Sequence, residues 1–140
     1  MRNAIFWPLI AQVLLVAVVA TRMYVVRIGE MRARRIRPQA MATSRTAAEA
    51  LQNVAAADNF RNLFEVPVLF FAVCLALAVT DTVTPLQLVL AWSYVGLRAI
   101  HSFIHITYNR VMHRFAAYLA SMVCLFFMWG VFAASLWNLG

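Results

Sequence analysis

The sequence contains no lysine, only five acidic residues, two cysteines and four glycines in 140 residues. Charged residues make up 12% of the chain, where a soluble domain carries about a quarter, while 64% are hydrophobic and the mean hydropathy is +0.78. That balance excludes an ordinary water-soluble domain. The two cysteines, Cys74 and Cys124, lie inside apolar runs without C-x-x-C spacing, which excludes a disulfide framework or a zinc site and reads as two small buried hydrophobes. Twelve arginines give a net charge of +7. They cluster at the ends of apolar segments instead of forming a soluble basic face with base-stacking groups, so nucleic-acid binding is excluded as well.

What is present is a set of four apolar segments near spanning length: about Phe6 to Val26, Phe64 to Val79, Leu86 to Ile106 and Phe115 to Trp137. The expectation is an all-α, integral-membrane four-helix bundle forming one domain over residues 1–140. Arg2 followed by an apolar run resembles a signal peptide, but the arginines from Arg22 to Arg35 favour a retained anchor. Met41 to Asn62 has no Gly or Pro, and is read as one long helix that enters the membrane near Phe60. Arg27 to Arg45, with Gly29 and Pro38, reads as a basic loop, and Thr80 to Pro85 and Tyr108 to Arg114 as short turns. The positive-inside rule then places the first and third loops in the cytoplasm and both termini on the far side. Trp7, Trp92, Trp129 and Trp137 fall toward the non-cytoplasmic ends, as interfacial anchors do.

Ionisable side chains at membrane depth are costly and mark sites. Asp58, Arg61, Asn62 and Glu65 share one helical stripe, as do Arg98, His101 and His105, continuing to Asn109, and Arg114, Tyr118 and Ser121. All three stripes lie in the cytoplasmic half, which predicts one polar pocket open on that side. Mutual ion pairing is the alternative reading, but Arg61, Arg98 and Arg114 face only Asp58 and Glu65. Residual buried cation is costly, so the pocket calls for an anionic ligand. Pro67 predicts a kink or a freed carbonyl near Leu63. His101 and His105 at i, i+4 have metal-ligand spacing, yet no Cys or carboxylate completes a site and the arginines oppose a cation, so no metal is expected.

The run Arg61-Asn62-Leu63-Phe64-Glu65-Val66-Pro67, the pair Arg98-x-x-His101 and the pair Arg114-x-x-x-Tyr118, with four helices and a basic first loop, resemble the MAPEG family, the membrane-associated proteins in eicosanoid and glutathione metabolism. The His101-Ser102-x-x-His105-x-x-Tyr108-Asn109 run resembles a bacterial branch of that family. The resemblance implies a homotrimer with sites between subunits near the cytoplasmic side. It implies glutathione as co-substrate, held by Arg61, Asn62, Glu65, Arg98, His101, His105 and Tyr118, with Arg114 stabilising the thiolate. The implied function is a membrane-bound glutathione transferase or peroxidase acting on a lipophilic electrophile or hydroperoxide in a bacterial inner membrane. His105, where an aromatic hydroxyl is usual, and the closeness of Pro67 to Glu65 are departures. The alternatives are a non-enzymatic trimeric module binding an anionic lipid or metabolite, and, more remotely, a subunit holding haem or quinone through His101 and His105.

Overall fold

A computed structural model describes residues 2–52 and 55–137. Among the described residues every regular element is helical: α1 (Phe6–Ala33), α2 (Ser44–Ala50), α3 (Ala55–Glu65), α4 (Pro67–Val79), α5 (Pro85–Ile106) and α6 (Val111–Trp137), with short 3-10 turns at Arg2–Ile5 and Pro38–Met41. Three stretches are long and apolar enough to cross a membrane: Arg2–Ala33, Ala55–Val79 and Val111–Trp137. At about 1.5 Å per residue, α5, with 22 residues, is also about 33 Å long. Its hydropathy is lowered by Gln87, Arg98, His101, Ser102 and His105, and all five are buried. α5 is therefore the inner helix, and it packs most extensively against α6.

The helix ends follow local chemistry. Thr84 accepts the Gln87 amide at 3.2 Å and Pro85 opens α5, a favoured N-terminal pairing. Asp81 and Asn109, in the turns before α5 and α6, adopt left-handed backbone (φ 54° and 45°), which Asp and Asn tolerate better than most residues. Below these ends the apolar core gathers Phe70, Val73, Cys74 and Leu77 of α4, Ala91 and Tyr94 of α5, and Leu125 and Met128 of α6. Phe70 and Tyr94 stack with centroids 4.4 Å apart. Both cysteines are free and buried, and the Cys124 thiol donates to the Leu90 carbonyl at 3.1 Å. Trp7, Trp92 and Trp137 face outward, whereas Trp129 packs on the core.

Two expected boundaries change. α1 runs on to Ala33, past Val26, because the basic stretch after it is helix-compatible until Arg35 turns left-handed (φ 53°). The single helix expected over Met41 to Asn62 is divided into α2 and α3, with residues 53–54 outside the described residues. The physical reason is tertiary. Glu30 and Arg34, paired at 2.8 Å on the end of α1, accept the Gln52 amide and donate to the Ala50 carbonyl, satisfying backbone groups that a continuous helix would use itself. Pro67 acts as expected from its missing N–H: the helix is interrupted at Val66, between α3 and α4.

Candidate functional site

The polar face of α5 is built by one periodicity. Tyr94, Arg98, His101 and His105 follow i, i+4, i+7, i+11, so they stack along a single buried stripe. Against it stands the first half of α6, which carries Arg114 and Tyr118 on successive turns. His101 Nδ1 lies 3.0 Å from the Arg114 carbonyl and, since a carbonyl only accepts, it is the donor. The Arg114 guanidinium donates from Nη1 to Asn109 Oδ1 at 2.7 Å and to His105 Nε2 at 3.2 Å. His101 also packs its ring 5.8 Å from that of Tyr118.

Arg98 is fully buried. Its Nη2 donates to the Asn62 carbonyl at 2.9 Å and its guanidinium carbon lies 5.6 Å from the centre of the Tyr118 ring. The carbonyl it uses belongs to the turn just ahead of the Pro67 break. It lies one residue before Leu63, whose carbonyl is the one that Pro67 leaves without an i+4 N–H partner. Arg98 Nε and Nη1 have no hydrogen-bond partner among the described residues. Ion pairs among the described residues are Arg34 with Glu30 and Arg45 with Glu49, so neither Arg98 nor Arg114 has a carboxylate within bonding distance.

Asn62, His101, Arg114, Phe115, Val111 and Tyr118 line one cavity of about 220 Å³. A second, of about 440 Å³, lies where α1, α2 and α3 meet and is lined by Arg27, Asp58, Arg61, Tyr24, Phe60 and other apolar residues. The stripes therefore open onto two cavities instead of the single pocket expected. Asn62 joins the Arg114 cavity, whereas Asp58 and Arg61 face the other. Glu65 and Arg61 are exposed on the outer side of α3. The buried side of α3 is Ala56, Asn59 and Leu63, so the stripe of Asp58, Arg61, Asn62 and Glu65 does not turn into this chain's interior.

Asn59 is the residue that the polar pattern does not single out. It is fully buried and accepts from the Ser102 hydroxyl at 3.2 Å, tying α3 to α5 beside the cavity. The available signal was its i, i+4 relation to Leu63 and i−3 relation to Ala56, an apolar-faced spacing that buries an amide. Arg22 of α1 donates to the Ile106 carbonyl at the end of α5 at 3.3 Å, placing its charge at the helix C-terminus. Among the described residues, no three His, Cys, Asp or Glu side chains gather as a metal site would require.

Long apolar helices around a buried cation and two buried histidines define the class: an all-helical membrane-spanning protein with a polar site between α3, α5 and α6. The model of the MAPEG family matches residues 5–134, and the chain belongs to that family. No curated protein and no solved structure matches it.

Proposed function

We propose that the chain is a membrane-bound glutathione-dependent transferase or peroxidase whose co-substrate thiolate is stabilised by Arg114. The observation that carries this reading is Arg114 at the cavity and the buried Arg98 behind Tyr118, both hydrogen-bonded to neutral groups with no carboxylate in bonding distance among the described residues. A desolvated fixed cation favours a thiolate over a thiol and attracts an anionic tripeptide. Family membership supports glutathione as the co-substrate, since the MAPEG family includes glutathione transferases and peroxidases among its membrane proteins.

Deprotonation breaks the S–H bond and sends the proton to solvent at the cavity mouth. In transfer, the sulfur lone pair forms a bond to an electrophilic carbon, and a leaving group departs with its electron pair or an epoxide oxygen takes the charge. In the peroxidase variant the sulfur attacks the O–O bond, giving a sulfenic acid and an alcohol. A second glutathione then yields the disulfide and water. Asn62, His101 and Tyr118 line the space for the tripeptide, and His105 sits behind Arg114.

The proposed assembly is a homotrimer of four-span subunits. A cavity of about 220 Å³ is smaller than the roughly 300 to 1,000 Å³ of typical ligand pockets, so a neighbouring copy would supply its outer wall. The same copy would cover Arg61 and Glu65, which are exposed at the start of a spanning stretch and costly against lipid, and bring them toward a shared tripeptide. The basic ends of the helices are assigned to the cytoplasm, with both termini opposite, in a bacterial inner membrane.

A second reading has its own observation. The cavity of about 440 Å³ combines Arg27 and Arg61 with apolar walls, as an anionic-lipid site in a non-enzymatic module would. Titration of the detergent-purified protein with glutathione, followed by thiolate absorbance, separates the two. Saturable thiolate that is lost in Arg114→Ala is the expected result. Its absence in an intact wild-type oligomer refutes the thiolate mechanism and favours the lipid module.

A further inference from the structure

We propose that Asn109 and His105 are positioning residues that clamp the Arg114 guanidinium in place while leaving its charge unopposed, an inference that rests on the thiolate role proposed for Arg114. A guanidinium only donates, so both neighbours meet Nη1 through lone pairs: Asn109 through its amide oxygen at 2.7 Å and His105 through Nε2 at 3.2 Å. Nη1 carries two hydrogens, one for each. An imidazole that accepts at Nε2 is neutral, and so is the carboxamide. The clamp therefore costs Arg114 none of its electrostatic reach.

A carboxylate would fix the same side chain more strongly and would cancel it. Arg34 and Arg45, on the same chain, are held that way, each by a glutamate four residues away, and both lie outside the cavity. The three anchors on Arg114 also come from different places. His101 binds its backbone carbonyl, His105 its side chain from α5, and Asn109 its side chain from the turn. Together they fix the first turn of α6 against the end of α5.

Asn109 has a second task that makes it testable. Its φ is 45°, and its amide donates to the Ile104 carbonyl at 2.9 Å, closing the turn that sends the chain into α6. On backbone grounds alone glycine is the better residue there. Asn supplies the left-handed turn and the acceptor together.

The experiment uses the full-length protein in detergent, labelled with ¹⁵N-arginine, in the wild type and in Asn109→Gly, Asn109→Asp and His105→Phe. Arg114, assigned by its loss in Arg114→Lys, should show separate Nη signals from hindered guanidinium rotation. These should merge in Asn109→Gly and broaden in His105→Phe. Unchanged signals in both variants overturn the clamp, whether or not glutathione binds.

Thiolate absorbance and S-methylglutathione affinity are then measured on the same samples. Asn109→Gly should lose about tenfold in thiolate, because catalytic groups misplaced by about an ångström lose up to a hundredfold, with S-methylglutathione affinity and thermal stability kept. Asn109→Asp should keep the hindered guanidinium yet lose thiolate by a similar factor, since its carboxylate neutralises the cation. Equal thiolate in wild type and Asn109→Asp overturns the claim that an unopposed charge is what the clamp preserves. A wild type that forms no thiolate while its Nη signals respond to Asn109→Gly refutes the thiolate role and leaves the clamp standing.

Discussion

Replacing Arg98 with methionine should make the ligand-free protein more stable. Arg98 is 0% exposed, and two of its three nitrogens lack partners among the described residues. Burying an ion costs several kcal/mol even after relaxation. One charged hydrogen bond, to the Asn62 carbonyl, returns about 1.5 to 3 kcal/mol. The Tyr118 face adds about 0.5 to 2. The deficit is about 1 to 4 kcal/mol, the range by which apolar replacement of buried ionic groups stabilises other folds. Methionine suits the space because it is unbranched and adapts its shape. Equilibrium unfolding in mixed micelles, followed by circular dichroism without glutathione, measures the difference. A variant less stable than wild type by more than about 1 kcal/mol would refute the reasoning, since Arg98 would then be a structural strut whose bonds outweigh its desolvation.

Three further outcomes follow from the packing. Pro67→Ala should close the helix across Val66 and remove an interruption worth up to about 3 kcal/mol, while the new residue-67 amide takes the Leu63 carbonyl and tightens the turn that presents the Asn62 carbonyl to Arg98. Higher unfolding free energy with reduced thiolate is expected, and no change in either would count against the freed carbonyl. The Asn59–Ser102 bond should show a coupling of about 0.6 kcal/mol in a double-mutant cycle with alanine, the usual value for bonds between membrane helices. Zero coupling would mean the two side chains do not act on each other. Phe70→Ala, which empties the stack on Tyr94 at the centre of the core, should cost about 3 to 5 kcal/mol, and a loss under about 1 kcal/mol would show that the neighbours collapse into the space.

Most of the helical framework was legible because membrane helices obey a local rule. Apolar runs of spanning length, arginines at their ends, the short turn from Thr80 to Pro85 and Pro67 within the second run each carry their meaning in neighbouring residues. The polar stripe of α5 was equally legible: at a period of 3.6, Arg98, His101 and His105 share a face whatever surrounds them. The break between α2 and α3 was not. It depends on Glu30 and Arg34 reaching residues 50 and 52 from another helix, and nothing near those positions in the chain announces it.

The site divides along the same line. The sequence by itself determined that cations outnumber acids at membrane depth, that three helical stripes carry them, and that the chain resembles MAPEG proteins, since all three follow from residue type and spacing. Tertiary structure alone decided how those residues are shared out. It turned Asn59 inward and Arg61 and Glu65 outward, because the angle at which α3 meets α5 selects the buried face. It placed Asn62 and Arg61, adjacent in the chain, on two different cavities. It also gave Arg114 two neutral partners instead of a carboxylate. Spacing along a helix constrains which side chains can point the same way. Which of them meet, and with what charge between them, is set by packing between helices far apart in the chain.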